Sequence, residues 1–326
     1  MTTNNPLFKQ TLDVILAARQ PLFIAHQKPD GDTLGAVCSF INYAREANFP
    51  YLAFCLDTPP KQFNFLPGIE HLIHNEEEVL RQPIDVAVVL DSGDLNYAGV
   101  AALIARLKAL RPVTVINIDH HHTNERFGDV NLVVVDAAST TEIIANMFHG
   151  GGVKLTKDIA TCLLTGVLTD TGGFSNPATT FTAIAEAAYL LTHGARFKQI
   201  TDRLTKNKTV TTLKLWGRVL ARLKTNQRLG IASTVITLED LVESEVDEEA
   251  MEGLANFLNS LTNVKASLML KEMPDQKIKG SFRTTNAVVD VSSLAKVCGG
   301  GGHKKAAGFT INGRLIKQPD GAWRIV

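Results

Sequence analysis

Through the first half of the chain, short apolar runs alternate with stretches in which apolar residues recur every three or four positions. The runs Leu22 to Ala25, Tyr51 to Leu56, Val86 to Leu90, Val113 to Ile118 and Leu132 to Val135 have strand length and are apolar at nearly every position. Such runs suit strands covered on both faces. After the first of them, Val37, Phe40, Ile41 and Ala44 follow helical spacing. A helix is expected after the Leu132 run, opened by Ser139-Thr140-Thr141-Glu142, in which Ser139 would cap and Glu142 would reach back. Two more helices are expected from about Lys157 and about Thr180. Strands alternating with helices predict an α/β fold with a parallel sheet and helices on both faces.

The second half is patterned differently. From Phe197 to Asn226 the chain is polar, with Leu213, Val219, Leu220 and Leu223 as a sparse apolar stripe, which predicts a linker helix. From Arg228 there follow a strand (Ile231 to Ile236), an acidic helix near Asp247 to Leu258, two strands (Ala266 to Leu270 and Ile278 to Phe282), a short helix and a glycine tract. This reads as a smaller α/β domain with a mixed sheet. A length of 326 residues fits two cores. The expected division is 1–196, a linker over 197–227, and 228–326.

Composition narrows the class. With 45% hydrophobic and 20% charged residues the chain is an ordinary globular one. Neither a signal-peptide pattern at Met1 to Lys9 nor a membrane-length apolar stretch is present, so no membrane partner and a cytoplasmic location are expected. Cys38, Cys55, Cys162 and Cys298 are widely spaced and form no Cys-x-x-Cys pair, which predicts reduced thiols rather than a zinc ribbon or a disulfide scaffold. The net charge of +0 argues against coating long nucleic acid. Between Lys265 and Lys317, however, ten Lys or Arg stand against three acids, a local excess suited to a short, highly charged ligand.

Three of the expected strands end in potential ligands: the first runs into His26, the third into Asp91, the fourth into Asp119-His120-His121. Open α/β sheets bind ligands outside the carboxyl ends of their strands. The turn His26-Gln27-Lys28-Pro29-Asp30-Gly31-Asp32 adds two carboxylates, and Asp170 stands where a helix gives way to Gly172-Gly173. His26, Asp30, Asp32, Asp91, His120 and Asp170 are therefore candidate metal ligands. Mixed imidazole and carboxylate donors favour Mn²⁺ over an all-oxygen Mg²⁺ cage or a thiolate Zn²⁺ site. The set is about what two adjacent ions need. Held ~3.5–4 Å apart, two ions activate a hydroxide and stabilise charge on a phosphoryl oxygen, so phosphoester hydrolysis is the leading chemistry. The tract Gly299 to Gly302, followed by His303, has neither dinucleotide nor P-loop spacing, but its backbone N–H groups could approach an anion closely. His71, His74, His149 and His193 lack acids in a ligand pattern and are expected at the surface or satisfied locally.

In that order His26-x-x-x-Asp30-x-Asp32, Asp91, Asp119-His120-His121, Asp170 and Gly300-Gly301-Gly302-His303 resemble the motifs of the DHH phosphoesterases that carry a DHHA1 domain. The resemblance covers nearly the whole chain, and the layout resembles the nanoRNase/pAp-phosphatase branch. It implies one ion on His26, Asp30 and Asp91 and a second on Asp32, Asp91, His120 and Asp170, with Asp91 bridging. It further implies that His121 contacts the scissile phosphate, that Asp119 orients a histidine, and that Arg283 clamps a phosphate beside a substrate-holding loop formed by Gly300, Gly301, Gly302 and His303. His122 is additional to the triplet and has no role by resemblance. The implied activity is hydrolysis of short oligoribonucleotides to mononucleotides, and removal of a phosphate from 3′-phosphoadenosine 5′-phosphate (pAp), with two divalent cations, Mn²⁺ before Mg²⁺. The alternatives are a phosphodiesterase of cyclic dinucleotides or linear pApA and, in a different class, a metal-free nucleotide- or RNA-binding module. A family II pyrophosphatase would lack the glycine-histidine motif, and a RecJ-like exonuclease would bring an OB-type domain. A homodimer is left open.

Overall fold

Burial on both faces turns the apolar runs of the first half into one sheet. In the computed structural model, which describes residues 6–205, 208–244, 253–319 and 321–326, the strands are β1 (Pro21–Ala25), β2 (Leu52–Cys55), β3 (Leu72–Ile73), β4 (Val86–Leu90), β5 (Thr114–Asp119) and β6 (Val130–Val133). They lie in the order β3-β2-β1-β4-β5-β6, every neighbouring pair parallel. Side chains alternate between two cores as a pleat requires. Phe23, Ala25, Val88, Leu90, Ile116 and Ile118 join a core with α1 (Pro6–Ala17), α2 (Gly31–Ala47), α5 (Thr140–Gly150), α6 (Lys157–Asp170) and α7 (Phe181–Thr192). Leu22, Ile24, Ala87, Val89 and Val115 join the opposite core with α3 (Glu76–Leu80) and α4 (Ala101–Leu110). The last strand begins two residues before the apolar run that marked it, because the end of that run, Val135, is exposed beyond the sheet.

The expected cap of α5 is present. Ser139 Oγ accepts from Glu142 N at 3.0 Å, while Glu142 Oε2 accepts from Ala138 N at 2.7 Å, one residue earlier than in the usual box. Glycine lets α2, α5 and α6 converge. A Cβ at Gly35 would lie 2.5 Å from the Cys162 carbonyl oxygen, and one at Gly166 would lie 2.3 Å from both Asp32 Oδ1 and Thr141 Oγ1. All four thiols are free, those of Cys38, Cys55 and Cys162 buried.

Glu186 of α7 is only 3% exposed and its Oε1 has no hydrogen-bond partner. Burial, reinforced by the nearby Glu142 charge, pushes its carboxyl from 4.5 up to about 7. A carboxyl whose folded value exceeds its unfolded one binds a proton on folding, so stability falls as pH rises between those two values. Glu186→Gln is therefore expected to raise stability at about pH 8 by about 1–3 kcal/mol and to give no gain at or below about pH 4.5. Denaturant midpoints of both proteins at the two pH values check this; an equal gain at both would show that charge is not the cause.

The chain divides into two compact units, Met1–Asn207 and Lys208–Val326. Within 197–227, the stretch read as a linker, lie α8 (Phe197–Thr205) of the first unit and α9 (Val210–Ala221) and β7 (Lys224–Asn226) of the second. The second unit adds β8 (Ile231–Ile236), α10 (Leu238–Ser244), α11 (Leu254–Phe257), β9 (Ala266–Met273), β10 (Lys277–Arg283), α12 (Val291–Val297), β11 (Gly301–His303) and β12 (Ala306–Asn312). A β13–β14 hairpin (Leu315–Lys317 and Trp323–Ile325) completes it. Its sheet runs β11-β12-β10-β9-β8-β7, with β8 and β9 parallel and the other pairs antiparallel, which makes it mixed. Leu215 and Val219 of α9 pack with Ile236, Met269 and Leu254, while Val291 and Ala295 of α12 pack with Phe282, Ala307 and Phe309. Of the acidic helix expected near Asp247 to Leu258, residues 247–252 lie outside the described residues; α11 and a 3₁₀ turn, Leu258–Ser260, follow them. Among the described residues no helix is long and apolar enough to cross a membrane.

Candidate metal centre

The strand order reverses direction between β1 and β4, the position at which doubly wound sheets open a crevice beyond their carboxyl ends. His26 follows β1 and Asp91 follows β4, so both stand at this point, with His120 and His121 one strand further on after β5. Asp30 and Asp32 arrive on the first turn of α2, where Asp30 Oδ1 caps the helix by accepting from the backbone N–H groups of Asp32 (3.0 Å) and Thr33 (3.2 Å). Thr33 ties that turn to both strands: its hydroxyl accepts from His26 N and donates to the Leu90 carbonyl. Asp170 is the last residue of α6. Asp91 has a left-handed backbone, φ 59°, which turns the chain sharply out of β4 and suits aspartate better than most side chains.

All six candidate ligands meet. Asp91 is central and only 2% exposed: its Oδ2 lies 3.6 Å from His26 Nε2 and its Oδ1 3.5 Å from His120 Nε2. His26 Nε2 is also 3.9 Å from Asp30 Oδ1, and His120 Nε2 is 3.2 Å from Asp170 Oδ2. Asp32, with His120 and Asp170, forms a second group of converging donors beside the group of His26, Asp30 and Asp91. His121 Nδ1 sits 2.7 Å from Asp119 Oδ1, so Asp119, fully buried, holds that ring. His122 is exposed and none of these groups includes it.

The charges strain against one another. Burial raises Asp32 and Asp170, and the Asp91 charge raises both further. Burial alone would raise Asp91 and lower the two imidazoles, yet His26 and His120 hold Asp91 down to about 2 while the carboxylates lift His26 to about 9 and His120 to about 10. A divalent cation would relieve this crowding of carboxylates. The donor chemistry also fits one. His26 Nδ1 is engaged by the Gln27 carbonyl (2.7 Å) and His120 Nδ1 by the Ala137 carbonyl (3.3 Å), which turns both Nε2 atoms toward the carboxylates in the way a ligating histidine is oriented. His120 Nε2 is buried and, although Asp170 Oδ2 lies 3.2 Å away, makes no well-aligned hydrogen bond, so a metal bond would satisfy it.

Several residues of the site carry no signal in the sequence as ligands. Asp32 accepts from Thr140 N (2.6 Å), Thr141 N (3.0 Å) and Thr141 Oγ1 (2.7 Å), and Thr140 Oγ1 donates to Asp91 Oδ1 at 3.0 Å. The α5 cap, read from sequence as structural, is thus also the wall of the centre. Asn124 Nδ2 donates to Asp119 Oδ2 at 2.6 Å and to the Ser92 carbonyl, fixing the carboxylate that fixes His121. In the second unit, Arg283 ends β10 opposite Ala306, which pairs in turn with His303, so the backbones of Arg283 and His303 share one row of the sheet. Burial lowers the Arg283 guanidinium, whose Nη1 donates to the Phe282 carbonyl. Gly301 and Gly302 form an edge strand rather than an open loop, and a Cβ at Gly300 would lie 2.1 Å from the Gly308 carbonyl oxygen. The His303 side chain lies outside what the structure describes. His71, His74, His149 and His193 stay out of the centre: His74 meets the Cys55 carbonyl, His149 and His193 meet Tyr189, and His71 lies beside Glu70.

Residues 22–167 match the DHH family, N-terminal domain, and residues 230–319 match the DHHA1 domain. A Thermus thermophilus protein named bifunctional oligoribonuclease and PAP phosphatase NrnA is 32% identical over 310 residues, which span 94% of this chain and 89% of that protein. A Bacillus subtilis protein of the same name is 27% identical over 291 residues, 88% of this chain and 87% of the relative. The crystal structure of an exopolyphosphatase-related protein from Bacteroides fragilis matches with a TM-score of 0.86 at 23% identity, covering 93% of this chain and 90% of that one, a likeness of fold.

Proposed function

The chain belongs to the DHH family of phosphoesterases with a DHHA1 domain, and from that premise we propose that it hydrolyses short oligoribonucleotides to mononucleotides and removes a phosphate from pAp. One observation carries the reading: a centre of two histidines and four aspartates, built round the buried Asp32 and Asp91 with Asp30 open to solvent, occurs in a chain that is 32% identical, over 94% of its length, to a relative named for both activities. His26, Asp30 and Asp91 would hold one divalent cation and Asp32, Asp91, His120 and Asp170 a second, with Mn²⁺ favoured by the mixed donor set. When bound, such ions supply Lewis-acid stabilisation of the phosphoryl oxygens and an acidified water.

The chain's own groups would do the rest. Burial tends to lower the His121 imidazole, but the hydrogen bond and charge of Asp119 outweigh it and raise the ring above its ordinary value. With Nδ1 engaged by Asp119, His121 would present Nε2–H to the phosphate or the departing oxygen. Asn124 fixes Asp119, so proton delivery would be set by a chain of three side chains. Arg283 and the glycine-rich β11 would receive a second phosphate or the base of a short substrate.

The test sets short oligoribonucleotides, pAp, pApA and a cyclic dinucleotide side by side against chelated and Mn²⁺-loaded protein. Turnover of the oligoribonucleotides and pAp, lost on chelation, is expected. Turnover of the cyclic dinucleotide or pApA alone would move the assignment to those substrates, and no turnover of any of them with metal loaded would sink the reading.

A further inference from the structure

We propose that Tyr97 is a specificity-determining residue, a platform on which the nucleobase of the nucleotide bound at the metal centre stacks. The inference rests on the phosphate-site reading above. Tyr97 is 54% exposed, and its ring stands 5.4 Å from that of His26, tilted by 48°. Its hydroxyl is raised by partial burial and by the charges of Asp30, Asp91, Asp119 and Asp170.

The backbone that carries the ring is placed with little freedom. Asp94 Oδ1 accepts from the Asn96 and Tyr97 N–H groups, both at 2.8 Å, and makes the segment a tight turn. That turn is tied to the residue after His26: Gln27 N donates to the Ala98 carbonyl at 3.0 Å and Gln27 Nε2 to the Asn96 carbonyl at 3.2 Å. Gly99, at φ 75°, completes the join, since a Cβ there would lie 3.0 Å from Gln27 Cβ. An exposed aromatic ring in a polar turn, tied to the loop that carries a candidate ligand, forms none of the described cores. A phosphate on the centre leaves its sugar and base to project outward, and an aromatic face at the rim accepts any base without reading its edge. Sequence-tolerant stacking is what degradation of mixed short RNA requires.

Binding of adenosine 5′-monophosphate and of ribose 5-phosphate to Mn²⁺-loaded protein, measured by calorimetry, isolates the base. Wild type should prefer the nucleotide by about tenfold or more, Tyr97→Phe should keep that preference, and Tyr97→Leu should abolish it. Metal content should be equal in all three. The proposal is overturned if wild type shows no preference, if Tyr97→Leu retains it, or if Tyr97→Phe loses as much as Tyr97→Leu, which would assign the contact to the hydroxyl. Because this readout needs no turnover, failure of the stacking idea is separable from failure of the hydrolytic one, which the substrate panel decides.

Discussion

Asp91→Asn is expected to lower hydrolysis of short oligoribonucleotides by more than about 10³-fold while leaving the fold intact. Both carboxylate oxygens of Asp91 are in use, one facing His26 and the other facing His120 and Thr140. Replacing one oxygen by an amide nitrogen removes the negative charge shared by both groups of donors and turns an N–H₂ toward atoms that should meet a cation. Asparagine tolerates the left-handed backbone at this position, which alanine does not, so the variant separates chemistry from folding. Initial rates, elemental analysis of bound metal and a thermal melt check it. Full metal content together with more than about a tenth of the wild-type rate would show that Asp91 does not join the two donor groups.

Asp32→Ala should be costly in a second way. Its carboxylate, completely buried, accepts three hydrogen bonds from Thr140 and Thr141 and so satisfies the opening turn of α5 that Ser139 leaves incomplete. Alanine strands those donors in a dry interior, a loss of about 3–5 kcal/mol, against about 1 kcal/mol for Ser139→Ala, which removes a single cap bond. The comparison belongs in chelated protein, where metal binding plays no part. If chelated Asp32→Ala melted with wild type, the carboxylate would serve the ions alone and α5 would not depend on it.

The centre was legible because β1, β4 and β5 are buried on both faces, which makes them continuous apolar runs whose ends show where His26, Asp91 and His120 emerge. Two-residue β3 and the short strands β7, β11, β13 and β14 carry too few buried positions to leave such a pattern. The glycine tract gave no hint of β11, because its pairing with β12 depends on backbone groups alone. Thr140, Thr141, Asn124 and Tyr97 were illegible for another reason. Each is an ordinary cap or turn residue in sequence, and its partners, Asp32, Asp91, Asp119 and His26, come from other elements.

The strand order also dictates when the centre can come into being. β1 takes β4 as its neighbour only after β2, β3 and α3 have been laid down, and Asp170 arrives at the end of α6, beyond all six strands. Of the six ligands only His26, Asp30 and Asp32 are close in the chain; the rest depend on long-range parallel pairing, the slowest kind of contact to form. The six donors therefore come together only once the sheet and α6 are in place. An ion held by all six donors would complete its coordination only on the finished sheet, and would there act as a latch that slows its opening.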